Sequence, residues 1–203
     1  MPIILKANGG GTPVPEGVHV VICVRVIDMG TQLNQLFGNK QRKLMLTWEV
    51  PEALIEVDDG DKKPMLISRT YTQSLNEKAI LRQHLEAWRG KKFSEQELTG
   101  FDPKNLLGKP CQLQVIHNDK GYADVQAVMA VPRGTPVPAQ AHKSVYFDLS
   151  DPACLEMMDE LPEFVKDKIK ASPEYGQLAA AHAGTVGQAD FEEIAGDDDG
   201  LPF

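Results

Sequence analysis

Cations and aromatic rings interleave along this sequence as far as residue 122: Arg25, Phe37, Lys40, Arg42, Lys43, Trp48, Arg69, Tyr71, Lys120 and Tyr122. Lysine and arginine neutralise phosphate oxygens, and flat rings offer faces on which nucleobases stack. A single-stranded nucleic acid is held by that pair of chemistries. A second group closes the sequence: Asp197, Asp198, Asp199, Gly200, Leu201, Pro202 and Phe203. Its carboxylates suit a basic pocket in a partner, and Leu201, Pro202 and Phe203 suit an apolar one. Other chemistries lack their residues. Cys23, Cys111 and Cys154 and the five histidines stand singly, without metal-ligand spacing. The sequence has no phosphate-binding P-loop, nucleophile elbow, helical histidine pair or Cys-x-x-Cys. Neither catalysis nor a cofactor nor a metal is expected.

The net charge of −8 argues against a nucleic-acid binder until its distribution is read. Residues 1–150 carry 18 Lys and Arg against 16 Asp and Glu; residues 151–203 carry 3 against 13. A slightly basic body therefore bears an acidic tail, and the average over both describes neither. The length of 203 residues suits one domain with an extension. With no apolar run of membrane length, no charged-then-apolar leader and an odd number of scattered cysteines, a reducing, cytoplasmic setting is expected.

Residues 1–16 read as a flexible lead-in because of the Gly/Pro punctuation from Asn8 to Gly17. The β-branched alternation after Gly17 predicts a first strand. Residues 30–41 read as a long loop, and 42–50 as a second strand stopped by Pro51. A third strand is expected over 65–74. The period then becomes helical. Ser74 and Glu77 have capping-box spacing, Leu81, Leu85 and Trp88 share one face, and Gly90 supplies a stop. A second box, Ser94 with Glu97, follows. Two strands, 111–118 and 122–131, flank a Gly-containing turn. Three strands, a helix and two strands are the element order of the OB-fold, a five-stranded Greek-key barrel. That domain is expected over 17–149, with 132–140 as a linker at its end. A short helical extension is expected over 150–175 and a disordered acidic tail over 176–203.

In such a barrel one sheet face and the loops joining strands 1–2 and 4–5 meet the oligonucleotide. The cations and rings fall on those parts. Arg69 and Tyr71, two apart on a strand, share a face. Trp48 also alternates with Leu44, Leu46 and Val50, which equally fits a core position, and Trp88 belongs with the apolar helix face. Lys40, Arg42 and Lys43 are the expected phosphate contacts, and a basic surface loop without function is their alternative.

The tip Asp197–Phe203 resembles that of bacterial single-stranded-DNA-binding proteins, in which an aspartate run precedes an aliphatic residue, Pro and a terminal Phe; Gly200 is an insertion here. The body does not match those proteins. Residues 68–97, 106–115 and 161–175 resemble recurring blocks of a family of phage-encoded single-strand binders. The resemblance implies an OB-fold protein that coats single-stranded DNA in replication or recombination; cations and aromatics without a base-edge reading module lead to the expectation of little sequence preference. It also implies that the tip recruits replication, recombination or repair enzymes. It assigns no DNA contact. The competing expectation is an adaptor that engages host enzymes, with the barrel only a mount.

Overall fold

A computed structural model describes residues 12–34, 38–56 and 60–189. The chain falls into two compact units: one of residues to Asp28 with Arg42–Phe147, the other of Met29–Gln41 with the chain from Asp148 onward. The sequence reading kept 29–41 with the strands and set the boundary after 149; the structure groups 29–41 with the C-terminal helices instead.

The strands are β1 (Gly17–Leu33), β2 (Lys40–Glu56), β3 (Lys62–Thr72), β4 (Pro110–His117), β5 (Ala123–Met129) and β6 (Val145–Phe147). They form a sheet in the order β3-β2-β1-β4-β5, with β6 alongside β1. The β2–β3, β1–β4 and β4–β5 pairs are antiparallel, and β6 runs parallel to β1. Between β3 and β4 lie α1 (Ile80–Arg89) and α2 (Glu95–Thr99). This part of the protein is thus mainly β with helices.

The core of the first unit follows the two periodicities. Leu44, Leu46, Trp48 and Val50 on β2 join Met65, Ile67 and Tyr71 on β3, Cys111, Leu113 and Val115 on β4, and Leu81, Leu85 and Trp88 of α1. All are buried. Alternate strand residues and every third or fourth helix residue face the same way, so these sets meet in one layer. Pro51 does not stop β2. The strand continues to Glu56 past a register shift between Val50 and Leu54, where the irregularity absorbs the proline.

Other expectations are corrected. The Ser74 capping box does not form. The Ser74 hydroxyl accepts from Asn76 N at 3.2 Å, and α1 starts only at Ile80, with Ala79 as its uncapped N-terminus. A local turn has taken the hydroxyl that a cap would use. The Ser94–Glu97 box does form, and Gly90 ends α1 in the left-handed region at φ 65°. The expected long loop at 30–41 is shortened at both ends, because β1 reaches Leu33 and β2 begins at Lys40.

In the second unit a short 3₁₀ helix (Pro152–Glu160) precedes α3 (Glu163–Lys170) and α4 (Pro173–Ala189). The reading of disorder from 176 fails as far as Ala189. Those residues are poor in large apolar groups but rich in Ala, the strongest helix former. Pro173 opens the helix, Ser172 Oγ accepts from Tyr175 N at 3.3 Å, and Glu174 lies in the first turn. Residues 190–203, including the tip, lie outside the described residues.

Gly30 explains why 29–33 belong to this unit. It sits at φ +65°, and a Cβ there would lie 2.5 Å from Ser172 Cβ and Oγ. Beside it Thr31 N donates to Glu174 Oε2 at 2.8 Å, Thr31 Oγ1 donates to Oε1, and Gln32 Nε2 donates to Lys168 O at 2.9 Å. Only a residue without a side chain allows that approach.

Candidate nucleic-acid interface

The β4–β5 turn is built by Asn118. Its Oδ1 accepts from the amides of Lys120 and Tyr122, each at 3.0 Å. The backbone closes through Asn118 N to Tyr122 O at 2.9 Å and Gly121 N to Asn118 O at 2.8 Å, with Gly121 at φ 76°. An Asx turn of this kind fixes the backbone and leaves the flanking side chains outside. Lys120 is exposed, and the Tyr122 ring is 64% exposed.

Beside this turn lies Arg69 of β3. Its guanidinium donates to Val125 O on β5 and stands 3.5 Å from Asp124 Oδ1. Strands β3 and β5 end the sheet path, so this side chain ties one end to the other. The guanidinium also lies 5.7 Å from the Tyr71 ring centroid. Arg69 and Tyr71 do share a face, as their spacing requires, but the face points inward.

Tyr71 and Trp48 therefore need correction as stacking platforms. Tyr71 is 3% exposed and Trp48 0%, so neither presents a ring to a base. Trp48 packs against Trp88 with centroids 6.1 Å apart. The Tyr71 hydroxyl shares a hydrogen bond of 3.0 Å with His84 Nδ1. Burial pushes the Tyr71 phenol well up, while burial and the Arg69 charge pull His84 below its ordinary value. At neutral pH that pair is an uncharged hydrogen bond inside the core.

The cations divide likewise. Arg42 forms an ion pair with Asp28, with Nε to Oδ1 at 3.2 Å. Lys43 Nζ donates to Thr72 Oγ1 on β3 at 2.9 Å. Arg25, half-buried, lies opposite Val145 of β6, and its Nε has no hydrogen-bond partner among the described residues. Lys40 is exposed and belongs to the second unit, whereas Arg42 and Lys43 belong to the first. Phe37 lies outside the described residues, as do Asp197, Asp198, Asp199, Leu201, Pro202 and Phe203. The structure thus brings together Lys120, Tyr122 and Arg69 at one end of β5. It does not bring Tyr71 or Trp48 to a surface.

The sequence reading missed the acids that answer these cations. Asp28 and Asp124 take up part of the charge assigned to Arg42 and Arg69. It also missed Glu49, which is fully buried on β2. Its carboxylate accepts from Ala141 N at 2.9 Å, His142 N at 2.8 Å and His142 Nδ1 at 2.9 Å. The two residues that follow the stretch read as a linker are thereby strapped to the sheet. Alternation puts Glu49 on the row of Met45 and Thr47, opposite Trp48 and Val50, so the sequence carried no signal of its burial; once buried, its carboxylate needs dedicated donors.

No group of side chains able to hold a metal occurs among the described residues, and no described helix is long and apolar enough to cross a membrane. The three cysteines are buried, and burial pushes the Cys23 thiol up to about 12. No protein-family model matches the sequence, and no curated protein matches it.

Proposed function

We propose that this chain binds single-stranded DNA on an OB-type barrel and recruits partner enzymes through its acidic tip. The sheet order carries the reading. The path β3-β2-β1-β4-β5 has its helices between the third and fourth strands, and Arg69 joins its two end strands through Val125 O. Joining those ends is what closing a five-stranded barrel requires. The loop between strands 4 and 5 then carries Lys120 and Tyr122, an exposed cation and an exposed ring, as single-strand binding needs. Arg25 and Lys43, in the same unit, are the further phosphate contacts. In this reading the protein coats replication or recombination intermediates, and the tip of Asp197–Phe203 is the ligand of replication, recombination or repair enzymes.

One observation favours the adaptor reading. Arg42 and Arg69 face Asp28 and Asp124, which lowers the positive charge available to phosphate. Fluorescence anisotropy with labelled oligo(dT) separates the two. Tyr122→Ala should weaken binding by roughly fivefold to a hundredfold, since one stacked base is worth about 1–3 kcal/mol. Equal binding by Tyr122→Ala would remove the turn from the interface, and an absence of binding by the wild type would leave the adaptor.

A further inference from the structure

Strand β3 ends the sheet path, and a groove of about 310 Å³ runs along it. Its wall takes in four consecutive β3 residues, Lys63 to Leu66, with Ile55, Thr12 and His142. Consecutive residues of a strand point to opposite faces. A groove that touches all four therefore follows the edge of the strand rather than either face. Next to it two large apolar side chains are exposed: Leu54, paired with Pro64, and Ile55, paired with Lys63. An apolar groove beside exposed apolar side chains marks a surface built to be covered.

We propose that the chain's own Ile3-Ile4-Leu5 covers it. The described chain begins at Thr12, which is itself part of the groove wall. The residues before it therefore start at the groove. Pro2 to Leu5 is an uncharged apolar run, matched to the apolar wall. Six residues, Lys6 to Gly11, join Leu5 to Thr12, and they reach at most about 25 Å. Asn8-Gly9 within them is a chain-reversing pair. A tether this short holds the run at high effective concentration over the groove, so a modest apolar contact suffices. Pro64 has no N–H and Lys62 and Lys63 are charged, which opposes a continued ladder. Ile3, Ile4 and Leu5 are accordingly seated by their side chains. This inference stands apart from the DNA-binding reading.

Amide hydrogen exchange on the full chain tests it, with Ile4→Asp/Leu5→Asp compared to wild type. The amides of Lys63, Met65 and Leu66 should exchange at least about tenfold faster in the variant, with β4 and β5 unchanged. A peptide of residues 1–8 added to the variant at millimolar concentration, which matches the effective concentration of the tether, should restore slow exchange, and one with Ile3, Ile4 and Leu5 replaced by Ser should not. If protection is lost throughout the variant, Leu5→Ser alone is read the same way. Unchanged exchange at the three amides overturns the proposal. So does a wild type that light scattering finds dimeric and the variant monomeric, because the run then sits on a second copy.

Discussion

Replacing Glu49 by Gln should loosen the strap at 141–142 and lower stability by a measurable amount. The Glu49 side chain is fully buried, and its two oxygens accept from two backbone amides and one ring nitrogen. Gln keeps the shape but turns one oxygen into a donor, which then faces a donor. One hydrogen bond to a charged group, worth roughly 1.5–3 kcal/mol, is lost, and an amide is left unpaired. A cost of about 2–4 kcal/mol follows, discounted because the strap can shift to admit water. For a chain of this length that corresponds to a fall in Tm of roughly 5–15 °C. Thermal unfolding followed by circular dichroism gives the first number. Hydrogen exchange at Ala141 and His142 gives the second, because a released strap loses protection there before the sheet does. A variant whose Tm lies within about 1 °C of wild type, with unchanged exchange at both amides, would show that Glu49 does not hold the strap.

Other outcomes follow from the same contacts. His84 is held below its ordinary value, so the unfolded chain takes up a proton that the folded chain resists. Stability should therefore be level above about pH 6.5 and fall below it, by no more than about 1.4 kcal/mol per pH unit from this group. Urea titrations at pH 7.5 and 5.5 should show that His84→Gln removes part of that fall; an identical fall in the variant counts against it. Gly30→Ala forces a side chain against Ser172 at a left-handed position, and should cost more than the roughly 1–2 kcal/mol of the backbone term alone. Adding Ser172→Gly should recover the excess, and a double-mutant cycle in urea that finds no coupling would contradict the close approach. Removing Asp197 to Phe203 should abolish partner recruitment while leaving oligo(dT) binding unchanged or tighter at low salt, the two proteins converging as the Debye length shrinks from about 30 Å at 0.01 M to about 10 Å at 0.1 M. Weaker DNA binding by the truncated chain, seen by anisotropy across that range, would oppose it.

Periodicity made the sheet elements legible. Alternation located β1 to β5, and the spacing of Leu81, Leu85 and Trp88 located the buried face of α1. Periodicity could not say which face of a strand is inside when both are apolar. By alternation Trp48 fits a core row as well as a stacking platform, and Tyr71 reads as outward only because it is aromatic and two residues from Arg69; both lie on the row that fills the core. Arg69 misled for the same reason, since it sits on Tyr71's inward row and ends by joining β3 to β5. Long-range partners were illegible in principle. Nothing near Gly30 announces Ser172 or Glu174, about 140 residues on, and nothing near Glu49 announces His142. Strand β6 was missed because three residues give no period. The helix through Ala189 was missed because low hydrophobicity was weighed without the propensity of alanine. In the site, the exposed turn of Lys120 and Tyr122 was readable because turn chemistry is local, whereas the acids beside Arg42 and Arg69 depend on register.

The most direct measurement is a titration of labelled oligo(dT) with the full chain, by fluorescence anisotropy, over salt from 0.05 to 0.5 M. Binding should weaken linearly in a double-logarithmic plot, with a slope of about −0.7 for each phosphate contacted. Lys43 and Lys120, each on a phosphate, account for about −1.4 of it, and replacing both should remove that part. A chain that does not bind oligo(dT) at the lowest salt, or whose slope is the same without those lysines, would contradict it.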